Sequence, residues 1–541
     1  MKDKIFSKSK EILFYSIVFL GLIAILFSYP FLRYPYDMIQ HLIGIDDIYM
    51  QLVNPIKKVV GIWVNDIYTM IPSGKYVAIP IPEGRYIWHY LWAKVFMIVG
   101  LKSDAIFLRA RMIHIFQIYI TLFSLYYFTK VIIRNVYTKI PSIMLKWLSL
   151  WSVVIWVTIF ATASIRHHQV WIMWYSVNYQ ITLPLFWYMT ALTLVLLLEE
   201  VSLQKKIFFV LQILLLSRFI LQAHSMEFMY YLMYLFVFSL VFVDKLFMYL
   251  KKHFYIFFPL LGGIYYIMRH YQPEQSKIFY YLSVEKLPEL YKEILQEGQV
   301  LIGGANRAFA SVNELMYFIG LVALLFLIHL VWDKVRRKHM DINMRMILFI
   351  SITSLFVLIP LSQFLGGLFG IITKTMVVNR LYYSSSLFVV FPIIMYYMVK
   401  TYNMSLRIMH IIFLISLVSI YIFSKHTTVL QHNYYKNIQS IKNSFYERRV
   451  GFHLSTEEIK MIGKQMKQYE TVNITSKKIR YYARADIAFV IKYIYHKNVY
   501  WKGRHANPNH VKAYQYYKNN KDYAHILFKT PKDFPRYKPY M

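Results

Sequence analysis

Apolar runs about as long as a bilayer is thick alternate along the chain with short polar breaks. They fall at roughly 11–32, 106–128, 143–163, 181–199, 207–222, 228–245, 254–269, 314–333, 346–366, 382–400 and 407–424. A helix needs about 20 mostly apolar residues to cross the hydrocarbon core, so the pattern predicts about eleven transmembrane helices. Pro184, Pro259, Pro360 and Pro392 lie inside or near these runs. Neighbouring helices can satisfy the backbone groups that proline frees in a membrane. Two stretches depart from the pattern. In residues 33–105, IKKVVGIWVNDIYTMI and YIWHYLWAKVFMIVGL mix apolar, polar and aromatic positions, as helices lying in a membrane interface do. In residues 425–541, HLSTEEIKMIGKQMKQY and ADIAFVIKYIYHK read as helices and TVNIT, NVYWKG and YAHILFKT as strands, which predicts a small α/β domain.

The expected fold is therefore mainly α: a polytopic membrane domain over 1–424, with 33–105 as its first external loop, and an α/β domain over 425–541. Composition agrees. Of 541 residues 58% are hydrophobic and only 16% charged, against about a quarter charged in soluble domains. The formal net charge of +34 would suggest nucleic acid in a soluble protein. No nucleic-acid-reading module accompanies it, and the Lys and Arg collect in loops and in the tail, so no nucleic-acid partner is expected. The basic tail would instead favour anionic membrane lipids or a polyanionic ligand. The absence of cysteine removes disulfides, thiolate metal sites and a Cys nucleophile. That absence, with abundant Lys, Ile, Tyr and Phe, points to an AT-rich bacterial genome.

Orientation follows from the basic loops. The N-terminal segment has a basic head (Lys2, Lys4, Lys8, Lys10) and an apolar body with no small-residue cleavage site, and reads as a retained first helix. If that head is cytoplasmic, every later cytoplasmic loop is basic: Lys130, Arg134 and Lys139; Lys205 and Lys206; Lys245, Lys251 and Lys252; Lys334 to Lys338; Lys400 and Arg407. The external loop 164–180 holds only Arg166, and 222–227 holds no Lys or Arg. The C-terminal domain is then external, beyond the cytoplasmic membrane.

On this topology the ionisable residues that do not set orientation gather at one membrane face. Asp37, His41, Asp46 and Asp47 lie just after the first run, with Arg85, His89 and Arg109 later in the same loop or at the next span. Arg166, His167, His168, Trp171, Trp174, Asn178 and Tyr179 form the second external loop. Arg218, His224, Glu227 and Arg380 mark further outer helix ends. Ionisable groups at membrane depth are costly and default to function. Asp37 and His41 are four apart and share a helix face, which suits a carboxylate orienting an imidazole or two ligands for one divalent cation. Asp46 and Asp47 are adjacent, so they point in different directions on a helix.

A basic N-terminus, one span, then YPYDMIQHL and DDIY opening a long external loop, interfacial helices, some ten further spans and a small external C-terminal domain resemble the GT-C superfamily of membrane glycosyltransferases. The resemblance implies transfer of a sugar from a polyprenyl-phosphate or polyprenyl-diphosphate carrier to an envelope glycan, lipid or protein. It also implies an early Asp as base or metal ligand. Here either Asp37 or the Asp46/Asp47 pair fills that position, with Mg or Mn as the ion if one is used. Such chemistry needs a base for the acceptor hydroxyl and cations for the departing phosphate. Asp37 is the expected base, with His41 beside it and Glu227 the second acidic candidate. Arg380, Arg218, Arg85 and Arg109 are the phosphate candidates, since guanidinium groups bind phosphate in a bidentate fashion. His167, His168, Trp174, Asn178, Tyr179 and His224 are the sugar or acceptor candidates. A carrier flippase or transporter, and a polysaccharide polymerase or ligase using the loop 270–313, are the rival readings.

Overall fold

The computed structural model describes residues 36–53, 86–102, 105–137, 139–158, 181–223, 225–252, 287–300, 325–332, 343–372, 381–405, 456–472, 478–497, 499–502 and 523–527, with a few isolated positions between them. The runs expected at 11–32, 254–269 and 407–424 lie almost wholly outside the described residues, as does the strand expected at TVNIT. The chain is mostly helical and divides into two compact units.

One unit comprises residues 1–23, 118–171 and 181–437, the other 24–117, 172–180 and 438–541. Helices α1 (Tyr36–Val53) and α2 (Tyr86–Val99) belong to the second, and α3 (Ile106–Val136) begins there. The first unit holds the rest of α3, α4 (Ser142–Thr158), α5 (Leu183–Leu198), α6 (Leu203–Ala223), α7 (Ser225–Val241), α8 (Val243–Lys252) and α9 (Leu287–Val300). It continues with α10 (Met344–Ser354), a 3-10 segment (Leu355–Leu361), α11 (Gln363–Ile372), α12 (Leu381–Ser384) and α13 (Leu387–Tyr402).

Within the first unit α5 is buried nearly all round, and its Trp187 meets Phe128, Tyr234 and Phe388 in an aromatic core. Several hydroxyl groups in this core are paired, as burial favours. Tyr234 donates to the Ser384 carbonyl at 2.8 Å, Tyr137 to the Ile393 carbonyl at 2.7 Å, and Thr353 and Ser386 share a hydrogen bond at 2.6 Å. The outward faces are the reverse. Ile207, Leu211 and Leu215 form an exposed apolar stripe on α6, and Phe236 and Leu240 continue the theme on α7. Contiguous exposed apolar surface of this kind suits lipid better than water. Among the described residues Leu108–Val136 is long and apolar enough to cross a bilayer alone. The run expected as one helix at 346–366 is instead bent by 89° between Met344–Pro360 and Gln363–Ile371. Pro360 can donate no backbone hydrogen bond there, and Ser362 accepts from the Leu365 N–H to start α11 afresh.

The second unit ends in α14 (Thr456–Val472), β1 (Lys478–Arg484), α15 (Ala485–Tyr493), β2 (Val499–Lys502) and β3 (Tyr523–Leu527). The three strands are parallel, in the order β2-β1-β3. β1, absent from the sequence expectation, is the central strand. α15 connects β1 to β2, and its first turn carries Asp486, whose carboxylate accepts from Arg484 Nε at 3.2 Å and Nη2 at 3.0 Å and from the Ile487 N–H at 3.0 Å. An acid in the first turn also suits the helix dipole.

Candidate functional site

α1 carries the first acidic cluster, YDMIQHLIGIDDIYMQLV. Residues 41–49 are all buried, more than two full turns without a solvent face. It packs on α2 and α15. A helix enclosed in this way can keep polar side chains only if each meets a partner.

Asp46 is fully enclosed and takes three donors: Arg109 Nη1 at 2.7 Å, Lys492 Nζ at 2.7 Å and the Tyr493 hydroxyl at 2.6 Å. Arg109, also fully buried, lies with its guanidinium 3.9 Å over the Tyr49 ring and 5.0 Å from Phe96, and it donates to the Leu101 carbonyl. Asp47 accepts from the Trp501 indole N–H at 3.4 Å. Burial lowers the proton affinity of Lys492, and Asp46 pulls it back up. Burial and then the neighbouring Asp46 carboxylate push the Tyr493 hydroxyl well above its ordinary range. Tyr493 therefore stays a neutral donor. Two acids against two bases leave the cluster formally neutral, which is how a buried ionic group is tolerated.

On the same helix His41 Nδ1 lies 2.7 Å from His89 Nε2 of α2, with both rings buried. Gly44 makes room for this contact. A Cβ there would stand 3.3 Å from two atoms of the His89 ring. Beside them Trp88, Trp92 and Phe116 pack edge to face or tilted. In the first unit, Glu227 in the first turn of α7 is fully buried and accepts from Thr182 at 3.2 Å.

These positions redistribute the roles expected from sequence. Asp46 was a candidate base and Arg109 a candidate phosphate ligand, yet each is enclosed and engaged with the other, which suits neither task. His41 is joined by His89, which had no assigned role. Asp37 is in the first turn of α1, and its side chain lies outside the described residues. Arg218 is exposed on α6. Arg85, Arg380, His167, His168, Trp174, Asn178, Tyr179 and His224 lie outside the described residues. Among the described residues no group of three His, Asp or Glu side chains could hold a metal ion; the Asp37 side chain, on which the expected Mg or Mn site rests, is not among them. Lys492 and Tyr493 were missed. The available signal was a lone lysine inside the apolar run AFVIKYIY.

No protein-family model and no curated protein matches the chain. Two solved structures are similar to it. The crystal structure of ArnT from Cupriavidus metallidurans bound to undecaprenyl phosphate shares 10% identity at a TM-score of 0.42, covering 91% of this chain and 86% of that one. The apo structure of the same protein shares 11% identity at a TM-score of 0.36, covering 96% and 93%.

Proposed function

We propose that the chain is a membrane glycosyltransferase that moves a sugar from a polyprenyl-phosphate or polyprenyl-diphosphate carrier to an envelope glycan, lipid or protein. The reaction takes place at the external face of a bacterial cytoplasmic membrane. One observation carries the reading. The acidic segment that follows the first apolar run is a helix walled in over residues 41–49 and tied at Asp46 to the C-terminal α/β element. Costly burial of two acids and two bases to fix one helix makes sense if that helix presents something that must not move. Its first turn carries Asp37, four residues before His41.

In this reading Asp37 takes the proton of the acceptor hydroxyl as that oxygen attacks the anomeric carbon. The bond from that carbon to the carrier phosphate breaks, and the carrier leaves with the electron pair. Arg380 and Arg85 are the guanidinium groups proposed to hold the leaving phosphate, a bidentate task that Lys fills less well. Glu227 is the proposed acceptor-binding acid.

The test is turnover of a radiolabelled polyprenyl-phosphate sugar in membranes matched for protein content. Asp37→Asn is expected to reduce it by about 10²–10⁴-fold, the range for a general base. Undiminished turnover would remove Asp37 from the site.

A further inference from the structure

α14 is packed along one side and charged along the other. Ile462 and Met466 are buried, and the Tyr495 hydroxyl donates to the Ile459 carbonyl at 2.8 Å. At 3.6 residues per turn, positions 460, 464, 467 and 471 form one row on the opposite side. They are Lys460, Lys464, Lys467 and Thr471, all exposed. Glu457 and Glu458 stand in the first turn, ahead of the row, where acids suit the helix dipole. Glu470, near its far end, is engaged elsewhere: Lys497 reaches it at 3.0 Å and the Tyr481 hydroxyl at 3.1 Å. The row belongs to a larger excess. Between residues 456 and 541, 18 Lys and Arg stand against six Asp and Glu. One of those acids, Asp486, is buried against Arg484.

Topology gives this excess no reason. Basic residues orient a chain by staying on the cytoplasmic side, and the pattern of basic loops puts this element outside. A surface so rich in cations suits an anionic partner. Lipid headgroups and anionic polymers both qualify by charge, and apolar surface tells them apart. A helix that enters a membrane interface sets Trp, Phe or Leu against the acyl boundary beside its lysines. Among the described residues of 456–527, the one large apolar side chain left exposed is Tyr469, at 36%. The row therefore has the charge for a polyanion without the apolar surface for a bilayer. Lysine suits a polymer, because a compact ammonium on a flexible stem follows a row of anions without a fixed geometry.

We infer that the Lys460, Lys464 and Lys467 row is a docking surface for a polyanionic glycan of the envelope, which makes such a glycan the acceptor class of the proposed transfer. The acceptor role rests on the glycosyltransferase reading. The docking itself does not, and the experiment separates the two. Full-length protein in phosphatidylcholine nanodiscs is titrated with dextran sulfate and with neutral dextran of the same chain length. Dextran sulfate should bind and dextran should not. Combining Lys460→Gln, Lys464→Gln and Lys467→Gln should weaken binding by about 10–100-fold, since one lysine near an anionic surface is worth about fivefold. The plot of log Kd against log salt should lose a slope of about two to three. The same positions changed together to Arg keep the charge and should bind as the wild type does. Unchanged binding in the Gln protein, loss of binding in a folded Arg protein, or equal binding of neutral dextran overturns the inference. Capture of the nanodiscs by phosphatidylglycerol vesicles but not by dextran sulfate also overturns it, by making the occupant a lipid surface. In the transfer assay, radiolabelled product freed of carrier should be retained on an anion exchanger. A neutral product overturns the acceptor role. Intact dextran sulfate binding with no sugar transfer would sink the glycosyltransferase reading and leave the docking surface standing.

Discussion

Asp46 illustrates how burial changes the meaning of a side chain. In sequence it is half of an acidic pair and a plausible base. In the folded chain it accepts from Arg109, Lys492 and Tyr493 and is fully enclosed. A carboxylate so engaged has lost the lone pairs and the access that a base needs. Its replacement leaves Arg109 and Lys492 with Asp47 alone as counter-charge. Breaking a buried ion pair by removing one partner costs about 3–5 kcal/mol, and here one acid serves both bases. Asp46→Asn is therefore expected to lose folded protein, measured as amount in membranes and resistance to protease, before any effect on turnover per molecule is read. Asp37→Asn should leave both measures intact. A well-folded Asp46→Asn protein with abolished transfer would reverse the two assignments.

At the scale of elements, most helices were legible because apolar runs about as long as a bilayer is thick stand out in the sequence. α2 was foreseen as a helix in the first loop, α15 as an amphipathic helix, and β2 and β3 as strands; the other loop helix expected, at 56–71, lies outside the described residues, and α1 was not among the expected elements. β1 was missed because KIRYYAR has no clean alternation: as the central strand of a parallel sheet it is covered on both faces, so its apolar and aromatic side chains need not alternate. The bend after Pro360 was missed for another reason. The apolar run continues through it, and hydropathy alone does not record direction. What fixes that bend is a glycine crossing. A Cβ on Gly298 of α9 would meet the Gln363 carbonyl oxygen at 2.0 Å, and one on Gly367 of α11 would meet that of Ile294 at 1.9 Å. Both obstacles are backbone, so no side chain can turn aside. Gly367→Ala should force the two helices apart and lower stability by about 1–3 kcal/mol, the usual range for overpacking. The check is a lowered thermal midpoint in detergent, with Gly100→Ala unsuitable as a control because its φ of 74° already strains an L-residue. An unchanged midpoint for Gly367→Ala would mean that the close crossing is absent.

For the whole molecule, the decisive contacts join the two ends of the chain. Asp46 and Lys492 are 446 positions apart and Asp47 and Trp501 are 454 apart, yet all four lie in one compact unit. No spacing rule on a single sequence reaches that far, which is why the candidate acids were visible and their partners were not. The same distance sets an order of folding. Closing so long a loop costs entropy that must be met before the contact forms. α1 is enclosed on one side by α15, so it cannot reach its final state until residue 493 has been made. Up to then Asp46 can meet Arg109 but lacks both Lys492 and Tyr493. A pulse-chase followed by limited proteolysis should therefore find α1 cleavable in nascent chains. Protection should appear only after synthesis passes β2. A chain ending at residue 437 should keep this stretch cleavable however long it is chased. If protection arises while only the first ~140 residues exist, α1 and α2 form a self-sufficient pair, and the C-terminal element is not what holds the acidic helix in place.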